Sequence, residues 1–389
     1  MKEIQELKGK LSGKKVLLRV DYNVPIKDGV VGDIERIQTS LKTINFLVQE
    51  GASVVLCSHL GRPEGKKDLK FSLSQVLGTV KQQSGKGISF IEDCVGENRD
   101  KIVTELKNGE IVLLENVRFY AEEEANDKEF AKKLAFGCDF YINDAFSASH
   151  RKHASIVGVT EYIEGYAGFA LQKEIESLSS LLNEPQRPFV VISGGAKISD
   201  KIGILNNLLS KVDTILIGGG MANTFLAAKG LEIGKSLIEK DFIEEAGKIL
   251  EEAKEKDVQI ILPFDVIACK VIGKTDKGEI KNITEILLDD IIVDIGPKTM
   301  QLFEDEIMKA KTVFWNGPLG VTEYSQFASG TIKVGESLAE SRSFSVIGGG
   351  DTISALPKEI KDDFSFVSMA GGASLEFLEG KSLPGIEVL

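Results

Sequence analysis

FVVIS at 189–193 runs directly into Gly194-Gly195-Ala196-Lys197. An unbroken apolar run without polar alternation suits a strand covered on both faces. Glycines immediately after it let backbone approach a ligand closely, and free N–H groups at a following helix start attract anions. The same design recurs in this half of the chain. TILI at 214–217 precedes Gly218-Gly219-Gly220, FSVI at 344–347 precedes Gly348-Gly349-Gly350-Asp351-Thr352, and FSFVS at 364–368 leads through Met369-Ala370 to Gly371-Gly372-Ala373-Ser374. QIILP at 259–263 and TVFW at 312–315 add two more apolar runs. Each glycine turn taken singly could be a tight connection. Four of them, joined by Lys197, Lys201 and Asp351, point to a polyphosphate site, with Asp351 suited to holding Mg²⁺ beside the phosphates.

The first half repeats the alternation of runs and helical patterns, with VLLRV at 16–20, SVVLC at 53–57, IVLL at 111–114 and FYI at 140–142. The expected fold class is therefore α/β with open, wound parallel sheets. The 389 residues suit two domains. Residues 171–182 (LQKEIESLSSLL) read as an amphipathic connecting helix with Leu171, Ile175, Leu178 and Leu182 on one face. The prolines of NEPQRP at 183–188 stop it. Ile4, Leu7 and Leu11 mark a short helical or extended opening segment.

Hydrophobic content of 42% supplies full cores, and no apolar run approaches the ~18–20 residues of a membrane helix. The opening MKEIQELKGKLSGKK lacks the apolar core of a signal peptide. A formal net charge of −12 argues against nucleic acid as the main partner. Cys57, Cys94, Cys138 and Cys269 fit no zinc spacing and read as free buried thiols in a reducing cytoplasm. The acidic run Glu122–Glu124 reads as a solvated face.

Ligands of open α/β sheets bind beyond the carboxyl ends of the strands. In the first half those positions hold Asp21-Tyr22-Asn23-Val24-Pro25, Ser58-His59-Leu60-Gly61-Arg62-Pro63, Glu115-Asn116-Val117-Arg118-Phe119, and Asn143-Asp144 followed by His150-Arg151-Lys152-His153. Arg36 lies shortly after the first. Any one arginine could be an ordinary surface residue. Arg36, Arg62, Arg118 and Arg151 together, in an acidic protein, favour a small anion bearing phosphate and carboxylate. His59 shares a loop with Arg62, whereas His150 and His153 could merely shape theirs. Common nucleotide motifs are absent. Gly-Lys-Ser/Thr at 234–236, 273–275 and 380–382 has Lys229, Ala268 and Leu375 where a P-loop needs glycine, and there is no G-x-G-x-x-G.

R-V-D-Y-N-V-P at 19–25, S-H-L-G-R-P at 58–63, E-N-V-R-F at 115–119, G-G-A-K at 194–197, W-N-G-P-L-G at 315–320 and G-G-G-D-T at 348–352 resemble phosphoglycerate kinase, in the family's order and over nearly the whole chain. The resemblance implies two Rossmann-like domains with parallel sheets joined by a hinge helix. Residues 1–170 would bind 3-phosphoglycerate or 1,3-bisphosphoglycerate, 171–188 would connect, 189–374 would bind the nucleotide, and 375–389 would return to the first domain. The acid would be held by Asp21, Asn23, Arg36, His59, Arg62, Arg118 and Arg151. ADP or ATP would be held by Lys197, Lys201, Gly219, Gly220, Asn316, Pro318, Glu323, Gly349, Gly350, Asp351 and Thr352, with Asp351 as the Mg²⁺ ligand. Arg36, Lys197, Gly350 and Gly372 would stabilise the transferred group. A cytoplasmic monomer of glycolysis is implied, with no nucleic-acid or membrane partner. Two departures are visible. Ser368-Met369-Ala370-Gly371-Gly372-Ala373 replaces the usual S-T-G-G-G-A, removing a threonine hydroxyl, and Ser147-Ala148-Ser149 replaces a common Gly-Thr-Ala. The rival readings are a Rossmann-type dehydrogenase, which the missing G-x-G-x-x-G disfavours, and a non-catalytic nucleotide-binding module.

Overall fold

The computed structural model describes residues 1–32 and 34–389. The chain divides into two compact units, Met1–Glu176 with Ser382–Leu389, and Ser177–Lys381. Each is built on one six-stranded sheet in which every pair is parallel.

In the first unit the strands lie in the order Ile88–Ile91, Ile111–Leu114, Ser53–Cys57, Lys15–Arg19, Phe140–Asn143, Glu164–Ala167. Successive side chains of a strand point to opposite faces, and both faces here are buried. Val16, Leu18, Val54, Leu56, Ile111 and Leu113 enter one apolar cluster. Leu17, Val55, Cys57, Val112, Leu114 and Tyr141 enter another. Fully burying one such aliphatic side chain contributes ~1.5–3 kcal/mol, so the continuous apolar runs are what a sheet covered on both sides requires. Ile4, Leu7 and Leu11 are buried in the first cluster, with Ile4–Leu7 forming a single 3₁₀ turn.

The second unit orders its strands Gln259–Ile261, Thr214–Ile217, Phe189–Ser193, Thr312–Asn316, Phe344–Gly348, Phe366–Ser368. Numbered along the chain this is 3-2-1-4-5-6, the doubly wound order whose direction switches between Phe189–Ser193 and Thr312–Asn316. The loops after those two strands border a natural crevice. A three-stranded antiparallel sheet, Glu279–Asn282, Asp265–Cys269 and Ile291–Ile295, is added to this unit.

Several boundaries differ from the sequence reading. The strands Ile88–Ile91 and Glu164–Ala167 were not expected, because both lie at sheet edges and carry exposed or small residues (ISFI, EGYA) in place of an apolar run. The last strand starts at Phe366 and not 364, and Pro263 lies outside its strand. The connecting helix begins at Phe169, two residues earlier than its apolar period suggested. Asp144 explains that start: its Oδ1 accepts the N–H groups of Ala170 and Leu171, at 2.8 and 3.3 Å, satisfying donors that a first helical turn leaves open. In the tail, the Gly385 N–H donates to the Ser149 carbonyl and its own carbonyl accepts from Asn143 Nδ2, so these last residues pack into the first unit.

Candidate active site

The carboxyl ends of the first unit's central strands collect the expected cationic loops. Asp21 and Asn23 organise them. The Asp21 carboxylate accepts hydrogen bonds from Arg36 Nη1 and from the Ser147 hydroxyl through Oδ2, and from the Asn23 N–H at 3.0 Å through Oδ1. Ser147, where the family commonly has glycine, thus adds a donor to Asp21. Asn23 Oδ1 in turn accepts the Gly61 N–H at 2.9 Å, joining the first loop to the one that bears His59 and Arg62. Arg118 is 6% exposed; its Nη1 donates to the Gly61 carbonyl at 3.0 Å and its Nε lies 3.3 Å from Glu124 Oε1. Arg62 is exposed and Arg151 half-buried.

The electrostatics of this loop set are those of excess cations. Burial, then Arg19, Arg118 and Arg36, hold His59 well below its ordinary pKa. Arg118 is brought down to about 10 by burial, then by Arg19, with Arg151 adding to the effect. His153 falls to about 3 through burial and the same arginines. Positive groups this close depress one another unless an anion arrives.

Sequence reasoning missed the support beneath these loops. Arg19 and Glu123 are both fully buried and communicate through Ser155. Arg19 Nε donates to Ser155 Oγ at 2.9 Å, and Ser155 donates to Glu123 through its hydroxyl at 2.5 Å and its N–H at 2.8 Å. The solvated-face reading of Glu122–Glu124 is therefore corrected at Glu123. The helix Ala121–Glu124 exposes Glu122 and Glu124 but turns Glu123 inward, where a buried guanidinium needs a counter-charge. An arginine inside an otherwise apolar strand, VLLRV, was the available signal. Within E-N-V-R-F only Arg118 faces the site chemistry. Glu115 accepts from Ser72 and the Leu73 N–H, and Asn116 Nδ2 donates to the carbonyls of Leu60 and Phe71.

In the second unit a cleft of about 680 Å³ is lined by Gly219, Gly220, Pro318, Glu323 and Asp351, together with apolar residues such as Leu226 and Leu319. Lys197, Lys201, Asn316, Gly349, Gly350 and Thr352 are not on its wall: Asn316 ends the strand Thr312–Asn316, Gly350 and Thr352 lie in the helix Gly350–Ala355, and Lys201 and Gly349 directly precede helices. Gly317 is glycine because a Cβ there would sit 2.1 Å from the Gly194 carbonyl oxygen. Gly219, at φ +65°, would carry its Cβ within 2.7 Å of the carbonyls of Gly195 and Pro318. These glycines let three strand-end loops cross at backbone contact, so their first cause is loop-to-loop packing. The strand–glycine–helix pattern holds for the helices Gly219–Ala228, Gly350–Ala355 and Gly372–Leu378. It does not hold after Phe189–Ser193, where the next helix starts only at Ile202.

Lys201 is 9% exposed, and its Nζ donates to Asn316 Oδ1. Burial lowers its pKa, opposed by Asp200, Asp351 and Glu379. Asn316 Nδ2 is buried without a hydrogen-bond partner among the described residues. A buried cation and an orphaned amide donor on neighbouring groups make a ready anion site. Lys197 and Asp351 are exposed. The Thr352 hydroxyl accepts the Gly317 N–H at 2.8 Å and so braces the W-N-G-P loop. Met369, which occupies the position of the missing threonine, packs against the unit's apolar core.

Two wound α/β units, one presenting clustered guanidinium groups and the other a glycine-walled cleft with a buried lysine, define an enzyme that handles phosphorylated anions, of the phosphotransferase class. The family model for phosphoglycerate kinase matches residues 4–381. The phosphoglycerate kinase of Dictyoglomus turgidum is 51% identical over 381 residues, covering 97% of this chain and 96% of that protein. That of Finegoldia magna is 48% identical over 384 residues, covering 97% of each. Among solved structures, the phosphoglycerate kinase of Coxiella burnetii superposes with a TM-score of 0.89 at 41% identity, covering 99% of this chain and 98% of that one. The Pyrococcus horikoshii phosphoglycerate kinase gives 0.85 at 32%, covering 100% and 98%. The chain belongs to the phosphoglycerate kinase family. It is an enzyme of glycolytic phosphoryl transfer between 1,3-bisphosphoglycerate and ADP, and the dehydrogenase and pure binding-module readings are not favoured.

Proposed function

We propose that the first unit binds 3-phosphoglycerate or 1,3-bisphosphoglycerate through Asp21, Asn23, Arg36, His59, Arg62, Arg118 and Arg151. The second binds ADP or ATP through Lys197, Lys201, Gly219, Gly220, Asn316, Pro318, Glu323 and the segment Gly349–Thr352. The observation that carries this reading is geometric: Asp21 holds Arg36, Asn23 ties the first loop to the loop of His59 and Arg62, and Arg118 is anchored on the Gly61 carbonyl of that same loop. A chain with a net charge of −12 gathers Arg36, Arg62, Arg118 and Arg151 at one set of strand ends, offset only in part by Asp21 and Glu124, an arrangement suited to a phosphate and a carboxylate.

Mg²⁺ accompanies the nucleotide in this reading. Among the described residues no group of three or more His, Cys, Asp or Glu could cage a metal. One exposed carboxylate, Asp351, beside a phosphate loop fits a Mg²⁺ completed by nucleotide phosphates and water. Bound there, the ion would neutralise phosphate charge.

The acceptor carboxylate, with a pKa near ~4, is already ionised at neutral pH, so attack on the γ-phosphorus needs no general base. The chain's contribution is to orient the two reactants and stabilise charge on the transferred group. Arg36 and Lys197 supply cations for this, and Gly350 and Gly372 supply backbone N–H groups. Among the described residues no helix is long and apolar enough to cross a membrane. In this reading the enzyme acts as a cytoplasmic monomer. A coupled assay with 3-phosphoglycerate and MgATP tests the assignment. Arg62→Ala should raise KM for 3-phosphoglycerate at least about tenfold, the loss of one charge-assisted hydrogen bond. An unchanged KM would remove Arg62 from the site.

A further inference from the structure

His59 is held by a residue outside the substrate-binding set. Arg19 Nη2 lies 3.0 Å from His59 Nδ1. A guanidinium has only donors, so Nδ1 must accept, which places the ring proton on Nε2. A protonated ring would set N–H against N–H at this contact. Arg19 therefore selects both the charge state and the tautomer. Its own position is over-determined, because it is fully buried, Nε donates to Ser155 Oγ at 2.9 Å and Nη1 donates to the Val20 carbonyl at 2.5 Å. The Ser155 hydroxyl in turn donates a hydrogen bond to the buried Glu123 at 2.5 Å. The series Glu123, Ser155, Arg19, His59 thus runs from the core to the loop of Arg62, each link with one donor and one acceptor. Nε2 of His59 has no protein partner among the described residues and is the ring's remaining donor.

We propose that Arg19 is a positioning residue that locks His59 as the Nε2–H tautomer, so that the ring gives the phosphorylated acid one neutral, directed hydrogen bond. This rests on the reading that His59 touches that acid. In the other tautomer a lone pair would face an anionic oxygen. Glu123 and Ser155 hold the guanidinium in place and balance its charge inside the core.

The test uses the full-length protein labelled with ¹⁵N, the His59 ring being assigned by comparison with His59→Gln. Wild type is expected to show the Nε2–H tautomer between about pH 6 and 8, with ring signals that move on addition of 3-phosphoglycerate. Arg19→Met is expected to mix the tautomers. It should also raise KM for 3-phosphoglycerate about tenfold, the loss of one directed hydrogen bond to an anion, with KM for MgATP unchanged. Because Arg19→Met leaves Glu123 without its counter-charge, Arg19→Met/Glu123→Gln provides a second variant with the same expected outcome. An Nδ1–H or charged ring in wild type would overturn the proposal without any variant, as would a native tautomer and native KM in both variants. An Nε2–H ring whose signals ignore 3-phosphoglycerate would instead overturn the placement of His59 in the site, and the role of Arg19 with it.

Discussion

Lys201→Met separates binding from stability in a way only a functional lysine allows. Lys201 is 9% exposed, its Nζ donates to the neutral Asn316 Oδ1, and among the described residues it forms no ion pair. Burying an ion costs several kcal/mol even after relaxation, and the lowered pKa of Lys201 is the signature of that cost. Methionine fills similar space without the charge. Its own penalty is to leave Asn316 Oδ1 without a donor, ~1–3 kcal/mol. The two effects offset, so folding stability should change by no more than about 1 kcal/mol in either direction. Nucleotide binding should suffer far more, since a hydrogen bond from a charged group is worth ~1.5–3 kcal/mol, roughly 10–150-fold in Kd. Urea unfolding gives the first quantity and calorimetric titration with MgADP the second. A variant that loses more than about 2 kcal/mol of stability yet binds MgADP normally would show that Lys201 is structural and refute the reasoning.

Three further outcomes are expected. Arg36→Ala should lower kcat about 10²–10³-fold, the usual loss of one preorganised donor to a developing charge; near-normal turnover in the coupled assay would dismiss Arg36. Thr352→Val should orphan the Gly317 N–H and destabilise the second unit by ~1–3 kcal/mol, seen as an earlier thermal transition; an unchanged melting profile would mean the brace is dispensable. His153, held at about 3 in the folded chain, returns to ~6.5 on unfolding, so between those values the unfolded chain binds a proton that the folded one does not. Stability contributed by the neutral ring is full above about pH 6.5 and is lost as pH falls, by at most about 2 kcal/mol at pH 5. His153→Gln should flatten the acid side of the stability profile, and an identical slope would contradict the burial argument.

The sheets were legible because parallel strands covered on both faces must be written as unbroken apolar runs. Edge strands are not under that demand, which is why ISFI and EGYA escaped notice. The antiparallel addition around Asp265–Cys269 hid for a related reason, since Glu279–Asn282 is largely exposed and polar. At the site, residue type and place after a strand were enough to nominate the arginines, Lys201 and Asp351. What spacing could not reveal is which partner a side chain chooses. Glu123 and Glu124 are neighbours in sequence, yet one is buried against Ser155 and the other is half-exposed beside Arg118. Nor could it show that Gly317 and Gly219 answer to one another's loops before any phosphate, or that Thr352 spends its hydroxyl on the Gly317 N–H.

The central claim is that the two ligands are divided between the units, the acid on the arginines of the first and the nucleotide on the second. Calorimetric titration of the Arg62→Ala/Arg118→Ala protein with each ligand in turn tests this most directly. Binding of 3-phosphoglycerate should disappear while the Kd for MgADP stays within about twofold of wild type, a change of ~0.4 kcal/mol. Retained 3-phosphoglycerate binding with weakened MgADP would contradict it.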